Sequence, residues 1–374
     1  MKNVVIAGYA RTPFTLANKG GLIKVRPDDL AAAAVKGLLE RTGVDGNEIE
    51  DLILGCAFPE GEQGFNMARL VVLLAGLPQS VAGATVNRFC GSSMQAIHQA
   101  AGAIQMNAGQ AFICAGVESM TRVPMPGFNP SPNPALYESI PGAYMSMGIT
   151  AENLAKKYSI SREEQDAFAV DSHQKAAAAQ AAGKLADEIV PVGGVSEDGC
   201  IRPETTMESL AGLRLAFDEH GTVTAGTSSP LTDGAAATLV CSEEFAKAHG
   251  LDVLARIRSV AVAGCAPEIM GIGPVNSTRK ALERAGLQSS DIDIVELNEA
   301  FAAQSLPCIQ DLELKMEKIN LDGGAIALGH PLGATGARIT GKAAALLKRE
   351  GKQFALATQC IGGGQGIATI LEAV

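Results

Sequence analysis

Leu39-Glu40-Arg41-Thr42-Gly43-Val44 and Leu282-Glu283-Arg284-Ala285-Gly286-Leu287 are near copies, and whether that likeness is a duplication decides the fold. At the same offset Ile49 to Leu54 falls on Ile292 to Leu297, and the turn Asn87 to Cys90 falls on His330 to Gly333. Two amphipathic helices resemble one another by chance often enough to explain the first pair alone. Three segments in one register point instead to a duplicated unit. The repeat predicts two similar halves that present helix N-termini at equivalent places.

The flanking pattern supplies the elements. Val4 to Ala7 reads as a strand, Asp28-Asp29 opens an Ala/Leu-rich helix that Gly43 ends, and Asp51 to Leu54 reads as the next strand. A helix from Asn66 to Leu74, a strand from Ala84 to Val86 and a helix from Gly91 to Met106 follow. Such alternation is the mark of a layered α/β fold. From Glu118 to about Gly226 the texture changes to a Pro/Met-rich stretch and then two helices, Thr150 to Tyr158 and Arg162 to Ala182. This segment echoes neither half. It reads as an insertion covering a site, or as a long surface loop, which is uncommon at that length. Asp233 to Cys241 resumes the strand-rich core.

Composition narrows the classes. A chain of 374 residues suits two domains, and 47% hydrophobic against 19% charged residues is ample for a packed interior. A formal net charge of -10 offers no basic field to a nucleic acid backbone. No apolar run reaches the roughly 20 residues that span a bilayer. The eight cysteines stand singly, without C-x-x-C pairs, which argues against a metal site and a disulfide framework and for the reducing cytoplasm.

Four segments carry residues fit for chemistry. Cys90, in Val86-Asn87-Arg88-Phe89-Cys90-Gly91-Ser92, stands where a strand meets a helix, so unpaired N–H groups and the helix dipole favour its thiolate. A fall of one to two pKa units there is worth about 1.4 to 2.7 kcal/mol. His330, between Gly329 and Pro331, sits on a rigid turn where an imidazole serves as general base or as donor to an oxyanion. Cys360, in Cys360-Ile361-Gly362-Gly363-Gly364, ends an apolar strand whose glycines expose backbone donors, each typically worth about 3 to 4 kcal/mol to an oxyanion. Asn298, in Glu296-Leu297-Asn298-Glu299, lies at another strand-to-helix junction. Each has a plain alternative: a buried thiol for either cysteine, a structural histidine, an N-cap for Asn298.

Taken together, these four motifs resemble those of thiolases, and the resemblance runs over essentially the whole chain. It implies duplicated βαβαβαββ halves in a five-layered αβαβα arrangement, with residues 1–117 and 226–255 as one half, 118–225 as an inserted loop domain and 256–374 as the other half. It implies Cys90 as acyl-accepting nucleophile, His330 as its base and Cys360 as the acid/base for the enolate or incoming CoA. Asn298, through a water, and His330 resemble a first oxyanion hole; the N–H groups of Cys90 and Gly362 resemble a second. Ser229 matches a serine that contacts the pantetheine arm, and Met147 and Met270 match acyl-pocket positions. Coenzyme A is implied as co-substrate, with no permanently bound cofactor.

Detail in Val86 to Ala96, Ile201 to Thr206 and Gly221 to Ala237 is similar to the branch that degrades 3-ketoacyl-CoA in fatty-acid β-oxidation. Members are often partnered by a hydratase/dehydrogenase subunit, and the family implies at least a homodimer. Gly226-Thr227-Ser228-Ser229-Pro230 departs from the Gly-Asn-Ala-Ser-Gly of acetoacetyl-CoA-specific relatives, and Ser146-Met147-Gly148 lacks their His. Competing readings are a biosynthetic acetoacetyl-CoA enzyme, a ketoacyl synthase, which would not use a second thiol, and a non-catalytic lipid-binding protein on the same fold.

Overall fold

The structure, a computed structural model, describes residues 2–374. Its first half runs β1 (Val4–Arg11), β2 (Thr15–Leu16), α1 (Pro27–Thr42), β3 (Asp51–Gly55), α2 (Met67–Leu74), β4 (Ala82–Val86), α3 (Ser92–Gln105) and β5 (Ala111–Ser119). The middle segment holds the short α4 (Pro134–Ser139), then α5 (Met147–Tyr158), α6 (Arg162–Ala181) and α7 (Met207–Ala211). Next come β6 (Thr232–Ser242), α8 (Glu243–Ala248), β7 (Ala255–Gly264) and α9 (Gly273–Ala285). The chain closes with β8 (Ile294–Leu297), α10 (Ala302–Asp311), α11 (Ala325–Leu328), α12 (Leu332–Glu350), β9 (Phe354–Ile361) and β10 (Gln365–Glu372).

The opening near-copies prove to be the last turns of α1 and α9. Gly43 and Gly286 sit in the left-handed region at φ 66° and 69° and return their N–H groups to carbonyls of the final turn. Glycine takes that conformation without a Cβ penalty, which is why the echo is strongest there.

The strands form one sheet in the order β4-β3-β5-β6-β1-β7-β10-β9-β8, with β2 beside β6. At its centre β1 and β7 share two residue pairs, Val5 with Arg256 and Ile6 with Ala255. On either side the pattern repeats. β3 lies parallel to β5, which is antiparallel to β6; β8 lies parallel to β9, which is antiparallel to β10. Where β4 pairs with β3, the second half has a single parallel bridge of Ile319 to Val295. The expected βαβαβαββ order is therefore present twice, with one strand of the second copy reduced to a bridge.

Helices α1 and α2 cover the outer face of the first half-sheet and α9 that of the second, while α3 and α12 pack on one another between the half-sheets. These are the five layers. The central helices approach closely because of glycine: a Cβ on Gly336 would lie 2.2 Å from the Met94 amide nitrogen, and one on Gly333 2.4 Å from the Val117 carbonyl oxygen. The glycines around His330 thus admit neighbouring backbone.

Element ends differ from the sequence expectation where tertiary contacts decide. β4 begins at Ala82, two residues early, because Ala82 and Gly83 pair with Asp51 and Leu52 despite poor strand propensity. Helix α5 begins at Met147 instead of Thr150.

Candidate active site

The turn carrying Cys90 is wound tightly. Phe89 has φ 43°, a left-handed conformation that costs a bulky residue about 1–3 kcal/mol. Hydrogen bonds hold it there. Asn87 Oδ1 accepts the Phe89 N–H at 2.8 Å, and Ser92 Oγ accepts the Arg88 N–H at 2.9 Å while donating to the Phe89 carbonyl at 2.6 Å. From the other half, Gln359 donates its side-chain amide to the Cys90 carbonyl.

Two backbone N–H groups, that of Gly362 and that of Cys90 itself, lie close enough to the Cys90 sulfur to favour its thiolate. They stabilise a thiolate as the helix-end argument anticipated, yet the net shift is the reverse. Burial of the thiol pushes its pKa up to about 12, although the residue keeps some exposure, and the N–H groups only partly offset this. The expected lowering of one to two units is corrected accordingly: burial outweighs the backbone N–H groups at this turn, ahead of α3 at Ser92.

His330 is 4% exposed, its N–H donating to Thr232 Oγ1 at 3.1 Å. Its Nδ1 lies 2.6 Å from Thr335 Oγ1 and its Nε2 3.4 Å from Asn298 Nδ2. Burial, and then the charge of Arg338, hold the imidazole down to about 3. The resting thiol and imidazole are both neutral at physiological pH.

Asn298 is no N-cap. Helix α10 begins four residues later with Phe301 in the cap position, while the Asn298 side chain faces His330 and its N–H donates to the Thr358 carbonyl at 3.0 Å. That bond ties the end of β8 to β9 two residues before Cys360. The Cys360 thiol is 1% exposed and is raised by burial first and by the neighbouring Cys90 sulfur next. Cys90 thus lies near Gly362 and within the electrostatic reach of Cys360, Asn298 meets His330, and the ladder between β8 and β9 joins the two groups.

The remaining sequence candidates lie close to these residues. Met147 and Met270 pack in one apolar cluster with Cys360, Ala300 and Phe301, and Met147 Sδ lies 3.6 Å from where a Cβ of Gly362 would stand. Ser229 donates its N–H and its hydroxyl to the Ala300 carbonyl, at 3.0 and 3.1 Å, leaving hydroxyl lone pairs free.

Two contributors were not foreseen. Thr335 contacts His330, as described. Glu118, fully buried at the end of β5, accepts from the N–H groups of Ala57 at 2.8 Å and Gly333 at 2.9 Å and from Gln63 Nε2 at 2.7 Å. Its carboxylate pins the N-terminus of α12 to the strand ends of the other half. A lone acid closing an apolar strand was the available signal. Among the described residues, no group of three or more His, Cys, Asp and Glu could hold a metal ion, and no helix is long and apolar enough to cross a membrane.

A thiol on one half and an imidazole on the duplicate half, with backbone N–H groups near the sulfur, are the groups that acyl transfer of the thiolase kind calls for. The chain belongs to the thiolase family: the thiolase N-terminal domain model matches residues 4–244 and the C-terminal domain model residues 251–373. It is 51% identical to a 3-ketoacyl-CoA thiolase of Bacillus subtilis and 53% identical to one of Aliivibrio fischeri, in both cases over the full length of both chains. The crystal structure of human mitochondrial 3-ketoacyl-CoA thiolase is similar at TM-score 0.92 with 39% identity, covering 100% of this chain and 99% of that one. The same human enzyme in complex with CoA is similar at TM-score 0.93, also with 39% identity.

Proposed function

We propose that this chain cleaves 3-ketoacyl-CoA with CoA, giving acetyl-CoA and an acyl-CoA shortened by two carbons, through an acyl thioester on Cys90. It is an acyltransferase with CoA as co-substrate. The observation that carries the reading is the pair of N–H groups, from Cys90 and Gly362, converging on the Cys90 sulfur.

The family resemblance supplies the roles, and the geometry supports them. His330 takes the proton of Cys90 as its sulfur attacks the 3-keto carbon, so a neutral pair becomes a thiolate and an imidazolium only when substrate is present. Asn298 and His330, facing one another, supply donors for one oxyanion. The Cys90 and Gly362 N–H groups supply donors for a thioester oxygen carried on Cys90. Carbon–carbon cleavage leaves the acetyl-CoA enolate, which takes a proton from Cys360. Cys360 recovers it from the incoming CoA thiol, whose sulfur attacks the acyl-Cys90 carbonyl and displaces the Cys90 sulfur, which retakes its proton from His330. Met147 and Met270 line the acyl side, and Ser229 receives the pantetheine arm through its free lone pairs.

The division into residues 1–117 with 226–255, 118–225 and 256–374 is supported by the duplicated element order. A homodimer is supported by the terminal strand β4, whose outer edge is unpaired, beside exposed Phe65, Leu73 and Leu74. A further complex with a hydratase/dehydrogenase subunit rests on the family resemblance. A cytoplasmic setting suits two thiols that must stay reduced. Purified protein given 3-ketooctanoyl-CoA and CoA releases acetyl-CoA on this reading, and folded Cys90→Ala protein does not; full release by that variant would sink the assignment.

A further inference from the structure

The Thr335 hydroxyl touches His330, and nothing in the proposed chemistry has used it. Thr335 lies on the first turn of α12, is 1% exposed, and places its Oγ1 2.6 Å from His330 Nδ1 and 3.0 Å from the Pro331 carbonyl oxygen. We propose that Thr335 is a positioning residue that fixes His330 as its Nδ1–H tautomer, leaving a bare Nε2 toward the cleft. This rests on the reading of His330 as the base for Cys90.

A hydroxyl has one proton and two lone pairs, so two arrangements exist. In the first, the hydroxyl donates to Pro331 and accepts from Nδ1–H, and Nε2 accepts from the Asn298 amide nitrogen 3.4 Å away. In the second, the hydroxyl donates to Nδ1, Nε2 carries the proton, and the Asn298 amide must be reversed so that its oxygen accepts. The two end groups therefore switch together.

One observation and one requirement of the proposed chemistry select the first. Donation from a helical threonine to the carbonyl four residues back is the usual local bond for that side chain, and the 3.0 Å separation fits it. The second arrangement also leaves no lone pair for catalysis, because Nδ1 is capped by the hydroxyl and Nε2 is already protonated. In the first, only the 3.4 Å contact with Asn298 gives way when Nε2 takes the proton, since Nδ1–H already has its acceptor. With both side chains buried, water cannot replace the hydroxyl.

The test uses full-length protein labelled with 15N-histidine, the His330 signal being assigned by its loss in His330→Asn. Wild type and Thr335→Ser are expected to show a neutral Nδ1–H imidazole at pH 7. Thr335→Val, which keeps the shape and removes the hydroxyl, is expected to lose that tautomer and to lower kcat roughly 10- to 100-fold. Its KM should stay within about twofold, and Thr335→Ser should recover most of kcat. An Nε2–H imidazole in the wild type overturns the proposal, as does a Thr335→Val protein with unchanged tautomer and kcat. If Thr335→Val does not fold, the wild-type tautomer alone decides. Acyl-Cys90 formed by wild type with an Nε2–H imidazole sinks the tautomer assignment only, whereas absence of acyl-Cys90 sinks the functional reading beneath it.

Discussion

The two halves share one scaffold and divide the chemistry unequally. Each puts a helix of the central layer behind a turn, α3 behind Asn87 to Cys90 and α12 behind His330 and Pro331. The first turn carries a thiol and the second an imidazole. The strand ends differ too: the offset that lays Ile49 over Ile292 lays Gly55 over Asn298 and Val117 over Cys360. Duplication places two equivalent helix N-termini against one another, and on the proposed reading one side serves as the nucleophile and the other handles protons. Buried carboxylates then lock each arrangement. Glu118 grips Gly333 across the halves, and Glu299 joins Ser172 of α6, at 2.6 Å, to Asn320 and to the Ile326 N–H.

The sharpest way to break this comparison is to silence one side at a time. Cys90→Ala should lower turnover on the order of 10⁴-fold or more, since no other nucleophile touches the acyl carbon, as measured by acetyl-CoA release. Cys360→Ser should cost roughly 10²- to 10³-fold while acylation of Cys90 still proceeds, because the serine is a far weaker proton donor to the enolate. Equal loss of acylation in both variants would contradict the division of labour.

A smaller effect is expected in the resting reactivity of Cys90. With its thiol pushed up to about 12, the thiolate fraction rises about tenfold per pH unit below that value, so alkylation of free enzyme by iodoacetamide should climb without a plateau from pH 7 to 10. A plateau below pH 8 would mean a preformed thiolate. Gly336→Ala drives a Cβ against the Met94 amide nitrogen and should lower stability by about 1–3 kcal/mol in denaturant unfolding. Smallest for turnover is Leu73→Glu on the exposed face of α2, which should shift a dimer toward monomer in sedimentation without unfolding the chain.

How much was legible in the sequence follows from the range of each interaction. The helix caps at Gly43 and Gly286 and the alternation of strands and helices rest on neighbours within a few residues, and they appear where the pattern put them apart from shifted ends such as those of β4 and α5. The convergence of Cys90 with Gly362, or of Glu118 with Gly333, joins positions hundreds of residues apart, and periodicity carries no information about it. Thr335 went unnoticed because a threonine in a helical first turn is locally unremarked. The thiol shift of Cys90 came out with the wrong sign because a helix end is readable from sequence, whereas the depth of burial that outweighs it is not.

The proposal stands on an acyl group residing on sulfur 90. Mixing the protein with 3-ketooctanoyl-CoA in the absence of free CoA, quenching in acid and sequencing the peptides by mass spectrometry measures this directly. A hexanoyl thioester on Cys90, formed together with acetyl-CoA, is the predicted result. Acetyl-CoA released with Cys90 unmodified, or with the acyl group on Cys360, would contradict it.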